Sequence, residues 1–200
     1  MQNQNFQPTT SIAQIQSFKE IQYLKGCPRT YRFNAKGGYF SFRGEAKLTK
    51  KGEAFSFIPI AYRIFSGEIL GYDFRSWVEF YFINQLGQVC SVLFHGYSVD
   101  NLRLTFADMH YDRIDFTQVK LTVKPEQRTN QHGSYYLASF SYEILQSEET
   151  ATLESIVNAL DAIYRADTLT ENVNISLSQN YGPPEKEETA VIDEVETVAA

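Results

Sequence analysis

Cysteine is scarce in this 200-residue chain, which holds only Cys27 and Cys90. Two thiols cannot build a disulfide framework, and no charged, apolar, small-residue leader pattern opens the chain, so both are expected reduced in a cytoplasmic protein. Long apolar runs are missing too. "SFIPIA" and "VEFYFIN" fall far short of the roughly 18 apolar residues of a membrane span and have strand character instead, so no membrane partner is expected. Histidine is limited to three residues. Cys90 and His95 are an odd number of positions apart, which puts them on opposite faces of one strand and excludes a local dyad. His110, between Asp108 and Asp112, reads as a surface hydrogen-bonding residue rather than a metal ligand. "AKGG" lacks the spacing and following helix of a phosphate-binding loop. These absences point away from an enzyme and away from any cofactor or metal.

Charge is unevenly distributed. Residues 1–146 hold sixteen Lys and Arg against twelve Asp and Glu, whereas residues 147–200 hold two against twelve. A mildly basic body therefore precedes an acidic C-terminal stretch. Its basic extreme is Lys25 to Lys51, where eight cationic side chains face only Glu45. An anionic partner is expected there first.

Aromatic residues, by contrast, are abundant, and the densest basic stretch carries several of them. "RTYRFNAKGGYFSFRG" over 29–44 threads Arg29, Arg32, Lys36 and Arg43 through Tyr31, Phe33, Tyr39, Phe40 and Phe42. Gly37-Gly38 suits a tight hairpin turn with positive φ. Alternation then places Tyr31, Phe33, Phe40 and Phe42 on one face and Arg32, Asn34, Tyr39, Ser41 and Arg43 on the other.

The remaining pattern is mostly of period two. Ile12, Ile15, Phe18, Ile21 and Leu24 predict a short amphipathic helix capped by Ser11. "EAFSFIPIAYRIF" changes phase between Phe57 and Ile58 beside Pro59, which predicts a bent strand. Trp77–Asn84 and Val89–His95 predict a hairpin with Val78, Phe80, Phe82, Cys90, Val92 and Phe94 inward and Trp77, Glu79 and Tyr81 outward. Ser98, Val99, Leu102, Phe106 and Met109 predict a helix capped by Ser98. "TQVKLTVK" and "SYYLASFSYEIL" predict a second hairpin, joined by a long polar loop, "PEQRTNQHG". A helix capped by Ser147 follows.

The expected organisation is a disordered N-terminus (1–10), a β-rich body (11–146), a C-terminal helix (147–166), and a linker with a disordered acidic tail (167–200). Within the body, residues 54–145 give a bent strand, a hairpin, a helix and a hairpin. That order resembles the OB-fold, a five-stranded barrel with a helix between its third and fourth strands. A β-sandwich or another small barrel fits the same pattern. The expected class is thus mainly β (α+β), an OB-like small barrel with an added N-terminal hairpin and flanking helices.

With its acidic tail, this arrangement resembles the single-stranded-DNA-binding proteins of bacteria and phages. In those families the tail generally ends in a phenylalanine that docks on partner proteins, whereas this chain ends in Val198, Ala199 and Ala200. The resemblance implies non-sequence-specific binding of single-stranded nucleic acid, tuned by the tail, and protein partners met through it. Cations neutralise phosphates and flat rings stack on unpaired bases. The candidate site residues are Arg32, Tyr39, Arg43, Trp77, Tyr81, Lys120, Lys124, Arg128 and Tyr135. The alternative is a protein-interaction or structural module that buries the same rings against a partner or a second copy in a homo-oligomer.

Overall fold

Period-two alternation lays much of the body into strands, and the phase change at Phe57–Ile58 divides them between two sheets. The computed structural model describes residues 10–166 and 173–182. Its strands are β1 Arg29–Asn34, β2 Tyr39–Phe42, β3 Ala46–Lys47, β4 Phe55–Phe57, β5 Pro59–Gly67, β6 Arg75–Ile83, β7 Val89–His95, β8 Val119–Asn130, β9 Gly133–Ile144 and β10 Asn174–Gln179. Its helices are α1 Ile12–Ser17, α2 Tyr97–Tyr111 and α3 Ser147–Ala159. The fold is mainly β: a seven-stranded sheet in the order β10-β5-β6-β7-β1-β2-β3 and a three-stranded sheet in the order β4-β8-β9.

The bend is real. β4 pairs with β8 in the smaller sheet, and β5 pairs with β6 in the larger one with a register shift between Pro59 and Ala61. One continuous segment thus crosses from layer to layer. The expected hairpins β1–β2 and β6–β7 are present in the expected phase. Closure into a barrel is not found among the described residues. The free side of β7 is taken by β1, which runs parallel to it with Tyr31 opposite Val92, and β9 is left with β8 alone in its sheet.

That β9 edge is covered by α2. Ser98 Oγ accepts from the Ala138 N–H at 3.0 Å, and Asn101 Nδ2 donates to the Ala138 carbonyl at 2.9 Å. A helix side chain on each backbone group satisfies what a strand would otherwise supply. Ser98 is therefore not the helix cap. The cap position is Gly96, at φ 58° and ψ −137°, with no side-chain hydrogen bond.

The "PEQRTNQHG" segment is not a loop. β8 runs to Asn130 and β9 starts at Gly133. Proline is tolerated because Pro125 stands opposite Ala138, whose backbone groups point away from β8 to α2. Pro125 therefore occupies a non-hydrogen-bonded pair, where no N–H is required of it. The first helix is also shorter than its periodicity predicts and ends at Ser17. Beyond it Gln22 bonds to Gly87 and Val89 at 2.7 and 3.0 Å, so the β6–β7 turn draws the chain into extended form. At α3 the cap is Gln146, in a capping box with Glu149, rather than Ser147. The helix ends at Ala159, short of the expected 166, and β10 lies inside the stretch expected to be linker. The rest of the expected tail and residues 1–9 lie outside the described residues.

Three apolar clusters result. The main one, between the sheets, holds Phe40, Phe55, Phe57, Phe80, Phe82, Phe94, Val92 and Leu121 together with Val99, Leu102 and Met109 of α2. A second lies on the opposite face of the larger sheet, where Ile12, Ile15 and Leu153 from α1 and α3 cover Ile60, Ala61, Tyr81 and Ile83. A third joins Phe65, Ile69 and Trp77. β6 is consequently covered on both faces, which explains its near-continuous apolar sequence. Each buried ring contributes roughly 1.5–3 kcal/mol of transfer free energy.

The β1–β2 turn is pinned by a close approach. Gly38 has φ +67°, and a Cβ there would lie 2.7–2.8 Å from ring atoms of Tyr136, whose own N–H donates to the Ala35 carbonyl at 2.7 Å. Gly38→Ala is expected to cost about 1–3 kcal/mol in a denaturant unfolding experiment, from overpacking together with left-handed strain. A cost below a few tenths would mean that the turn relaxes freely.

Candidate nucleic-acid interface

The face of the larger sheet opposite the main core is where Trp77, Glu79 and Tyr81 point, as alternation requires. It is not an open surface. Trp77 is 1 % exposed and Tyr81 0 %. The indole N–H donates to the Gly67 carbonyl at 3.0 Å, and the ring stacks on Phe65 with centroids 6.4 Å apart. Tyr81 lies in the cluster beneath α1 and α3. Neither ring is available to stack on a base. This corrects the sequence-based assignment: α1 and α3 close over Tyr81, and Phe65, Ile69 and Tyr72 around the β5–β6 loop close over Trp77, on strands whose alternation alone looks half-exposed.

Glu79 anchors that covering. Its Oε2 accepts from Arg63 Nε and Nη2 at 2.9 and 2.8 Å and from the Tyr81 hydroxyl at 2.9 Å, while its Oε1 accepts from Arg165 Nε and Nη2 at 2.8 and 2.6 Å. Arg165 Nη2 also donates to Ser91 Oγ at 2.6 Å. Burial pushes the Glu79 carboxyl up, but the guanidiniums of Arg165 and Arg63 and their hydrogen bonds outweigh it and hold the group below its ordinary range. The Arg63 guanidinium lies 4.4 Å from the Phe65 ring centroid and 4.9 Å from that of Tyr181. This Arg–Glu–Arg assembly fastens the stretch after α3 to the centre of the sheet. Sequence reading registered Glu79 only as a charge between two rings, and nothing in the pattern marks Arg165, which comes from 86 positions away.

The hairpin at the other end of the sheet is different. Arg29, Arg32, Lys36, Arg43, Lys47, Lys50 and Lys51 are all exposed. None of the seven has an ion-pair partner among the described residues, whereas Lys25, Arg103, Lys120 and Arg128 are each paired. Several lie against rings. Arg29 and Arg43 are 5.4 and 5.3 Å from the centroid of Phe42, Lys47 is 4.7 Å from that of Tyr39, and Lys51 is 5.4 Å from that of Tyr136. Tyr31, Phe33 and Phe40 turn inward as expected. Asn34 Nδ2 donates to the Tyr39 hydroxyl at 3.1 Å on the outer face. Arg32, Tyr39 and Arg43 thus belong to one hairpin, which Arg29, Lys36, Lys47, Lys50 and Lys51 join in and just after it, with Arg32 and Tyr39 on its outer face and Arg29 and Arg43 against Phe42 on the inward side. The charge count over 25–51 signalled those five, but strand parity alone did not.

The last four candidates, Lys120, Lys124, Arg128 and Tyr135, lie elsewhere. They belong to the outer face of the smaller sheet, with the main core between them and the β1–β3 hairpin. Lys120 pairs with Glu143 at 3.3 Å and Arg128 with Glu126 at 3.1 Å. Lys124 is exposed, without an ion-pair partner among the described residues, and Tyr135 is half-buried. Among the described residues no hydrogen bond, ion pair or ring contact joins the two sets. Cys90 is buried, and desolvation pushes its thiol up to about 12, so it carries no thiolate at neutral pH. Among the described residues no three His, Cys, Asp or Glu side chains come together, and no helix is long and apolar enough to cross a membrane. No protein-family model, curated protein or solved structure matches the chain.

Proposed function

We propose that this protein binds single-stranded nucleic acid, DNA in the first instance, without reading sequence, and that the β1–β3 hairpin carries the contact. The observation behind this reading is the set of seven exposed cations in and just after one hairpin, without ion-pair partners among the described residues, four of which lie over rings. Cations held near a protein by ring faces rather than carboxylates keep their charge available to phosphates. The activity is sequestration, with no catalytic step, no cofactor and a cytoplasmic setting.

Two further features support it. β4 and β5 form one bent strand shared between sheets, and the order bent strand, β6, β7, α2, β8, β9 is that of an OB-fold, which is a partly open barrel and a recurrent oligonucleotide-binding architecture. The acidic stretch after Pro184 supplies a polyanion that competes with phosphates and offers a handle to protein partners. That stretch lies outside the described residues.

The test is anisotropy of an end-labelled oligo(dT) during titration, at low and moderate salt, with duplex DNA as the comparison. Trp77 is unsuitable as the reporter because it is buried. Single-strand-selective binding is expected, with a log affinity against log salt slope no steeper than about −5, the value for seven neutralised phosphates at about −0.7 each. Absence of binding to either nucleic acid sinks the proposal. The alternative, a protein-interaction or homo-oligomeric module, has its own observation in Tyr97, Leu104 and Tyr111. They are exposed, seven residues apart along α2. Salt-insensitive self-association without nucleic acid would favour it.

A further inference from the structure

With the centre of its outer face filled by the Arg63–Glu79–Arg165 assembly, the larger sheet leaves one row of that face partly open, at the end where β5, β7 and β1 finish. Because β1 is parallel to β7, with Arg32 opposite Leu93, the β1–β2 turn stands at the same end as the loop between β5 and β6. Residue pairing continues the row: Trp77 is opposite His95 on β7, and Asn34 on β1 is opposite Tyr39 on β2. The β5–β6 loop folds over the first of these. Tyr72 packs on His95 and Trp77 with centroids 4.9 and 5.8 Å apart, and the Arg75 guanidinium lies 4.5 Å from the Tyr72 centroid. Phe74 is 61 % exposed and has no ring partner among the described residues.

The row therefore reads Arg75, Tyr72, His95, then Asn34 and Tyr39, with Lys47 at its end, and the exposed Phe74 adjoins it in the loop between Tyr72 and Arg75. At about 4.8 Å per strand, β6 to β2 spans roughly 14 Å. Rings alternate with cations and an amide, and the one carboxylate in the loop part of the row is that of the exposed Asp73, whose backbone carbonyl accepts from Arg75 Nε at 3.1 Å. Burial and the neighbouring Arg75 lower the His95 imidazole, so it is a neutral, flat group at physiological pH.

We infer that a single strand entering on the β1–β3 cations continues along this rim, and that Phe74, in a loop outside the basic hairpin, stacks on one of its bases. This rests on the reading proposed above and extends it. The basic hairpin holds phosphates, whereas the rim makes the protein prefer a strand that has bases.

The test compares affinity for oligo(dT) with affinity for an abasic phosphodiester oligomer of equal length, using wild type, Phe74→Ala and Arg32→Gln/Arg43→Gln. Wild type is expected to prefer the base-bearing oligomer by at least about tenfold, in line with one or more stacked bases. Phe74→Ala should lose about five- to tenfold or more on oligo(dT) and nothing on the abasic oligomer, with an unchanged thermal midpoint because the ring is exposed. The Arg32/Arg43 variant should lose on both ligands alike. If wild type binds oligo(dT) but Phe74→Ala binds it equally well, the rim is wrong and the basic hairpin stands. If Phe74→Ala loses equally on both ligands, the ring does not stack and the inference is overturned. If wild type binds neither, both the rim and the underlying reading fall.

Discussion

Glu79→Gln is expected to destabilise the protein by about 3–5 kcal/mol, the cost of leaving buried guanidiniums without their counter-charge. Glu79 is 0 % exposed, as is Arg63, and it accepts five hydrogen bonds, four of them from arginine. Glutamine keeps the shape, but its amide NH2 would face a guanidinium donor on one side. Urea unfolding measures the loss, and a change below about 1 kcal/mol would show that the assembly is not held as the geometry implies. Replacing Arg63, Glu79 and Arg165 together with apolar residues of similar volume is expected to recover much of it, since a well-packed apolar set needs no desolvation of charge. The pH dependence has a definite sign. The carboxyl of Glu79 lies lower in the folded state than in the unfolded one. Its stabilisation is therefore complete above the ordinary carboxylate range and is lost as pH falls through the folded value. Wild type should weaken below about pH 4, and Glu79→Gln should lose that part of the acid dependence.

Neutralising Arg29, Arg32, Arg43 and Lys47 with glutamine is expected to lower affinity for oligo(dT) by about 10²- to 10³-fold near 0.1 M salt. Four contacts at about 0.7 of a log unit per decade of salt give this, with convergence toward wild type near 1 M. Stability should change little, because all four are exposed and none is in an ion pair among the described residues. Lys124→Gln is the internal control. It is equally exposed but lies on the far side of the smaller sheet, and its affinity should match wild type. Loss in Lys124→Gln with none in the hairpin variant would move the interface to the other layer.

What the sequence disclosed was local. Gly37-Gly38 marked the turn, the phase change beside Pro59 marked the crossing between sheets, and the inward set of the β6–β7 hairpin was legible residue by residue. The parity of Trp77, Glu79 and Tyr81 was also legible, but parity says which side a ring points to, not what lies on that side. The burial of Glu79 and Tyr81 depends on α1, α3 and Arg165, all distant in sequence, and that of Trp77 on how Phe65, Ile69 and Tyr72 fold back around the β5–β6 loop. The stretch beginning at Pro125 read as a loop, because the proline's unneeded N–H is visible only once Ala138 is seen facing α2. The same limit separated Arg32 and Arg43 from Lys120 and Lys124: equal composition, opposite layers.

The linkage of Glu79 to Arg165 also sets an order in time during synthesis. Eighty-six positions separate them, and at about 5–20 residues per second that is roughly 4–17 s of elongation. Throughout that interval the nascent sheet carries Glu79 with Arg63 as its only arginine partner, and the side of the sheet around Tyr81 lacks the cover that α3 and Arg165 later supply. The stretch around residue 165, which leaves the ribosome shortly before β10, is thus the part that completes the buried charge assembly, and a chain released before it would leave Glu79 with Arg63 alone.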